Sequence, residues 1–214
     1  MEPCRGLLSS RHELQVPCIF EKIKRAAPVK RVLDILLAIT LAVGLAIPLL
    51  LIFILVRATS TGPACYWSDR VGRNNKLFKM PKFRSMREGT PEVATSLLTD
   101  PEKFLTPVGG FLRRSSLDEL PQLWSIIVGD MSFVGPRPAL HNQVELIELR
   151  TRCGVHSLVP GLTGWAQING RDELLDTQKV ALDKEYFDKQ SLWLDAKIIF
   201  LTAIKVVKRD GIVH

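Results

Sequence analysis

The sequence predicts a helix-rich α/β fold: a small membrane-associated domain behind an N-terminal re-entrant helix-break-helix anchor, with interfacial amphipathic helices. Three observations carry this. Residues Ile35 to Val56 contain no charge. Leu77 to Met86 alternates apolar and polar side chains, as a strand does. Later segments have helical periodicity, and Ser191 to Arg209 is amphipathic and basic.

The bulk properties set outer bounds. A chain of 214 residues suggests one domain of ordinary size with an appended anchor. Hydrophobic residues at 46% and charged residues at 24% allow a packed core and argue against wholesale disorder. The 29 Lys and Arg against 22 Asp and Glu leave a net charge of +7. Nucleic acid, an anionic membrane surface or a phosphorylated substrate would each suit that charge, which alone does not choose among them. Cys4, Cys18, Cys65 and Cys153 form no CxxC pair, so reduced thiols are expected rather than a zinc site or a disulfide framework. His12, His141, His156 and His214 are scattered and carry no metal signature.

The chain divides into a basic segment (1–31), an apolar segment (32–56) and a domain with interfacial helices (57–214). As a helix, the uncharged stretch from Ile35 would run roughly 33 Å, about the thickness of a bilayer core. A uniformly apolar helix of that length has no solvent face for a soluble fold. Residues 1–31 carry seven Lys and Arg, and residues 57–87 carry eight. Basic flanks at both ends give no orientation preference and suit one side of the membrane. Pro48 removes one helix hydrogen bond and crowds the preceding turn. A break at Pro48 would return the segment to the face it entered; a spanning helix that tolerates the proline is the alternative.

Beyond the turn at Thr61-Gly62-Pro63, the strand candidate places Lys82 and Arg84 on one face. Glu88 to Pro107 reads as a loop. Gly109-Gly110 lacks dinucleotide or P-loop spacing. Ser115 to Met131 is a helix candidate: Ser116 and Glu119 fit a capping box, while Pro121 favours a start near Asp118. Either register puts Asp118 and Glu119 in the first turn. Gly135-Pro136-Arg137-Pro138 is a rigid turn carrying an arginine. Further helices are expected over about 139–150 and 176–189. On the last helix, Leu192, Trp193, Ala196, Ile199, Phe200, Ala203 and Ile204 share an apolar face, which suits either a headgroup layer or a protein core.

An Asp-Glu pair at a helix start is ordinarily a cap. Here its company matters. Arginine forks match phosphate oxygens, and a carboxylate kept ionised by neighbouring cations can attack an activated phosphorus. A second carboxylate can share Mg²⁺ with substrate phosphates.

Five stretches in order resemble one family. They are Lys82-Phe83-Arg84-Ser85-Met86, Ser116 to Leu123 (SLDELPQL), Gly129-Asp130-Met131-Ser132, Val134-Gly135-Pro136-Arg137-Pro138 and Pro160 to Arg171 (PGLTGWAQINGR). They resemble the bacterial sugar transferases that initiate surface glycan assembly, the monotopic phosphoglycosyl transferases, over about residues 29–209. The resemblance implies a catalytic domain on the cytoplasmic face of the bacterial inner membrane. It implies transfer of a phosphosugar from a UDP-sugar to polyprenyl (undecaprenyl) phosphate, with UMP released. Asp118 would be the nucleophile through a covalent phosphosugar intermediate, and Glu119 with Asp118 would hold Mg²⁺. Arg113 and Arg137 would contact phosphates; Lys82, Arg84, Gln167 and Arg171 fall at motif positions expected to bind substrate. The family's break has a Ser-Pro pair, and here Ile47 precedes Pro48. Expected partners are the UDP-sugar, the polyprenyl phosphate and membrane lipids. A homodimer is admitted, and nucleic acid is not expected. Rival functions are a polyprenyl-phosphate phosphatase and a non-catalytic tethered binder of anionic lipid or nucleic acid.

Overall fold

A computed structural model describes residues 16–208 apart from 92, 94–98 and 171–173. Two helices open it: α1 (Val16–Gly44) and α2 (Ala46–Thr59). Their apolar parts, Pro28–Gly44 and Ala46–Thr59, meet at a bend of 64°. Among the described residues no single helix is long and apolar enough to cross a membrane, whereas this bent pair qualifies by length and composition. The break falls at Leu45 (φ −100°, ψ 11°), three residues before the expected Pro48. The displacement follows from proline chemistry. The Pro48 ring conflicts with the carbonyl four residues earlier, at Gly44, so the helix yields there and restarts with Pro48 in its first turn. Helix α1 also runs unbroken through residues 31 and 32.

One side of the bent pair packs on the domain and the other faces out. Asp34, Ala38, Ile52 and Val56 are buried. Val43 and Ile47, at the bend, are each nearly three-quarters exposed, and Leu36, Leu50 and Leu51 lie open beside them. The lone acid of the apolar run is a docking group. Asp34 Oδ2 accepts from Ser132 Oγ at 2.8 Å. Beside it, Lys30 Nζ pairs with Asp195 at 2.6 Å, and Arg31 donates to the carbonyls of Ile126 and Ile127. Such a cation satisfies the open carbonyls at a helix C-terminus.

The domain has two small sheets. Strands β1 (Cys65–Val71) and β2 (Leu77–Phe83) form an antiparallel hairpin, and β4 (Ala139–Leu140) pairs with the other side of β1. Strands β3 (Ser132–Val134) and β5 (Gly161–Thr163) pair in parallel. Around them lie α3 (Gly109–Arg114), α4 (Leu123–Val128), α5 (Val144–Arg152), α6 (Trp165–Ile168), α7 (Asp176–Lys189) and α8 (Leu192–Lys208). The main core joins Met80, Leu123, Ile126, Met131, Phe133, Val134, Tyr186 and Ile198 with Ala38 of α1.

Four expectations change. The helix expected from Ser115 is a 3-10 turn over Leu117–Gln122 that precedes the short α4. Ser116 is left-handed (φ 56°, ψ 17°) and stands at the N-cap without a capping bond, so the capping box does not form, although Asp118 and Glu119 lie in the first turn as expected. The segment expected as a helix from Ala139 opens as β4, and α5 begins at Val144. Cys153 is disulfide-bonded, contrary to reduced thiols, while Cys65 is free. Finally, α8 turns its polar side inward. Asp195 and Ile198 are buried, while Trp193 is 80% and Phe200 66% exposed. The inward polar groups have partners: Asp195 takes Lys30 and the Tyr186 hydroxyl, and Thr202 shares a hydrogen bond of 2.7 Å with Thr163.

Candidate active site

Two segments frame the acidic pair. Strand β2 delivers Lys82, one residue before the strand ends. The 3-10 turn packs its Leu117 and Leu120 against a cluster of Ile52, Val56, Ala64, Phe83 and Leu112. That contact turns Asp118 and Glu119 away from the cluster. The left-handed Ser116 reverses the chain between α3 and this turn, so Arg113, in the last turn of α3, stays near enough to act on Asp118.

Arg137 arrives from the turn between β3 and β4. Its backbone is gripped by the Gly-rich segment: Gly135 N donates to Thr163 O at 2.9 Å, and Gly161 N donates to Pro136 O at 2.9 Å. A Cβ on Gly161 would lie 2.1 Å from Gly135 N, and one on Gly164 would lie 2.1 Å from Gly135 O. Only glycine allows that approach.

The charges converge on one oxygen. Lys82 Nζ and Arg137 Nη2 each stand 2.8 Å from Glu119 Oε1. No described residue donates to the other oxygen, Oε2. Burial pushes the Glu119 carboxyl up, but the charges and hydrogen bonds of Arg137 and Lys82 outweigh it and hold the group well below the carboxylate range. Asp118 behaves oppositely. It is 6% exposed, and no described residue donates a hydrogen bond to it. Burial raises its pKa, with Glu119 adding to the rise, while Lys82, Arg113 and Arg137 oppose it. Asp118 and Glu119 do lie in the first turn of the 3-10 helix, but for Asp118 desolvation outweighs the neighbouring cations expected to keep it ionised.

Among the expected site residues, Lys82, Asp118, Glu119, Arg113 and Arg137 come together. Arg84 does not join them. It donates to Pro63 O at 2.8 Å and pairs with Glu88 at 3.0 Å, bracing the turn after α2. Strand β2 ends at Phe83, so the alternation that would align Arg84 with Lys82 stops before it. Gln167, on α6, is buried, and both its amide atoms lack a partner among the described residues. Its Oε1 would lie 2.6 Å from a Cβ on Gly164, which locates it beside the Arg137 turn. Arg171 lies outside the described residues.

Sequence reading missed three supporting groups. Gln122, buried in the acidic turn, leaves Nε2 without a partner among the described residues. Arg150 and Asp183 form a bridge of 2.7 Å behind Arg137. Burial pushes Asp183 up, with Arg150 opposing. Gln122 stands in the SLDELPQL stretch but has no expected role there; no motif marked Arg150 or Asp183, which only three-dimensional contact reveals.

Among the described residues no group of three or more His, Cys, Asp or Glu side chains could hold a metal ion. Two adjacent carboxylates, one with an oxygen clear of donors among the described residues, do fit Mg²⁺, which commonly takes one or two carboxylates and fills its shell with substrate phosphate and water.

Comparison with known proteins gives this arrangement a lineage. The family model described as bacterial sugar transferase matches residues 25–209. The UDP-glucose:undecaprenyl-phosphate glucose-1-phosphate transferase of Escherichia coli (strain K12) is 41% identical over 82% of this chain and 39% of its own length. The undecaprenyl-phosphate galactose phosphotransferase of Salmonella typhimurium is 38% identical over 85% of this chain and 41% of its own. The uncharacterized sugar transferase EpsL of Bacillus subtilis is 39% identical over 86% of this chain and 89% of its own. The chain thus spans about two fifths of the length of the first two relatives and nearly all of the third. With the family model covering everything from Arg25 to Arg209, acidic pair and flanking cations included, the chain belongs to the bacterial sugar transferase family.

Proposed function

We propose that this protein is a phosphoglycosyl transferase that moves a phosphosugar from a UDP-sugar to polyprenyl phosphate, at the cytoplasmic face of the bacterial inner membrane. One observation carries the reading: buried Asp118 stands beside Glu119, whose Oε1 is clamped by Lys82 and Arg137. Similarity to relatives named as undecaprenyl-phosphate sugar phosphotransferases supports the substrate classes.

In this mechanism, the Asp118 carboxylate attacks the sugar-bearing phosphorus of the UDP-sugar. A P–O bond forms to Asp118, and the diphosphate P–O bond breaks, releasing UMP. The phosphate oxygen of the lipid then attacks the same phosphorus, which frees Asp118 and yields polyprenyl-diphospho-sugar. Lys82 and Arg137 hold Glu119 ionised and present N–H groups towards the diphosphate. Arg113 lowers the cost of an ionised Asp118. Asp118 and Glu119 Oε2 would hold Mg²⁺, which when bound offsets diphosphate charge. Gln167 and Gln122 keep buried amide atoms without partners among the described residues. An unpaired buried amide costs about 1–3 kcal/mol, which favours a role in meeting a substrate.

The anchor belongs to the same reading. Lys30 and Arg31 of α1 dock on the domain, and α2 leads through Ser60–Ala64 into β1 of the same domain. Both ends of the bent pair therefore adjoin one body, which supports a re-entrant anchor over a span. The outward Trp193 and Phe200 of α8 support an interfacial helix.

The test is a UMP-release screen over a panel of UDP-sugars with Mg²⁺ and polyprenyl phosphate. UMP with at least one sugar is expected. Free phosphate without UMP would indicate the phosphatase, and no product from any donor would contradict the transferase.

A further inference from the structure

Arg137 sits in a segment with little backbone freedom. Prolines on both sides fix their own φ, and Pro138 confines Arg137 to extended backbone. What remains adjustable is the peptide plane between Arg137 and Pro138, which sets where the Arg137 carbonyl points. That carbonyl has a dedicated donor: Arg150 Nη1 donates to Arg137 O at 2.8 Å. The same guanidinium donates through Nε and Nη2 to Asp183 Oδ2, at 2.9 and 2.7 Å. Both partners are enclosed, with side-chain exposures of 11% for Arg150 and 1% for Asp183. A guanidinium committed to a buried carboxylate in two directions has no rotational freedom left for its third.

We propose that Arg150, locked by Asp183, is a positioning residue for phosphosugar transfer: it fixes the Arg137 peptide so that the Arg137 guanidinium reaches Glu119. The assignment rests on the transferase reading given above. It couples α5 and α7, which contribute no group to the acidic pair, to the clamp at Glu119. Lysine at 150 cannot replace the arginine, because one ammonium cannot serve the Asp183 oxygen and the Arg137 carbonyl with the same planar fork.

The test is a double-mutant cycle on the full chain in detergent or lipid nanodiscs, using Arg150→Lys, Arg137→Ala and the pair together. Arg150→Lys alone should lower UMP-release turnover by about 10–100-fold, the range a misplaced reacting group costs. In the Arg137→Ala background it should cost nothing more, because the group it positions is gone. Equal fold-losses in both backgrounds would overturn the assignment, as would an Arg150→Lys variant with full turnover. If Arg150→Lys does not fold, Asp183→Asn serves in the same cycle. A second readout is independent of turnover. In Arg150→Lys the ¹³C carboxyl titration of Glu119 should move up towards the ordinary carboxylate range as Arg137 departs. An unchanged titration would refute the clamp even in a preparation without transferase activity. Inactivity of the unmodified protein would count against the transferase reading instead.

Discussion

Lys82 and Arg137 reach the same oxygen of Glu119 from opposite segments of the domain, each at 2.8 Å. One comes from β2 and the other from the turn between β3 and β4. Two cations on one partly buried carboxylate oxygen hold it as an anion and position their remaining N–H groups around it.

Removing one cation should leave the carboxylate underpaired. Lys82→Met is expected to destabilise the protein by about 1–3 kcal/mol, a range kept low because Arg137 remains. Arg137→Ala should cost less, since that side chain is 43% exposed and partly screened. Chemical denaturation of both variants gives the order, and a larger loss for Arg137→Ala would contradict it.

The pH dependence has a worked sign. In the proposed mechanism Asp118 acts only when ionised, and burial raises its pKa. UMP release should therefore fall, as pH is lowered, above the pH where an ordinary aspartate titrates. Arg113 and Lys82 lower that pKa, so Arg113→Ala should move the acid limb higher still. Glu119 works oppositely on stability. Its folded pKa is depressed, so its contribution is present above the unfolded carboxylate pKa of about 4.3 and is lost as pH falls through the folded value. Acid titration by circular dichroism checks the second statement, and a pH–rate profile checks the first.

Much of this was legible before the fold was known. The α7 boundaries, Asp176–Lys189, were readable from periodicity, and β2 from alternation. Lys82, Asp118, Glu119 and Arg137 stood in motifs and meet in space. What stayed hidden depends on partners distant in sequence. Which face of α8 turns inward stayed open because Asp195 and Thr202 look solvent-bound until Lys30, Tyr186 and Thr163 meet them. Asp34 is the one charge of residues 32–56, and nothing in the sequence pairs it with Ser132, which it meets in the fold. Ser116 read as a cap because spacing does not disclose a left-handed backbone. The break moved from Pro48 to Leu45 because a proline disturbs the turn before it.

The anchor geometry is testable by labelling. With Cys4, Cys18, Cys65 and Cys153 replaced by serine, His12→Cys and Asn75→Cys should react with an impermeant maleimide from the same membrane side. Reaction from opposite sides would make the bent pair a span.

The exposed face of α8 should contribute membrane affinity without contributing fold stability. Trp193→Ser and Phe200→Ser are each expected to weaken binding to anionic vesicles about tenfold or more, from the apolar area no longer buried. Melting temperatures should stay within a degree or two, since neither ring is buried in the domain. Unchanged vesicle binding would assign that face another role.

The covalent role proposed for Asp118 is tested most directly by intact-protein mass spectrometry after incubation with a UDP-sugar and Mg²⁺ in the absence of lipid acceptor. The account predicts a mass increase of one phosphosugar with matching UMP release in the native protein, both lost in Asp118→Asn and the mass increase removed on adding polyprenyl phosphate. An Asp118→Asn variant that still gains the adduct, or still releases UMP at the native rate, would contradict it.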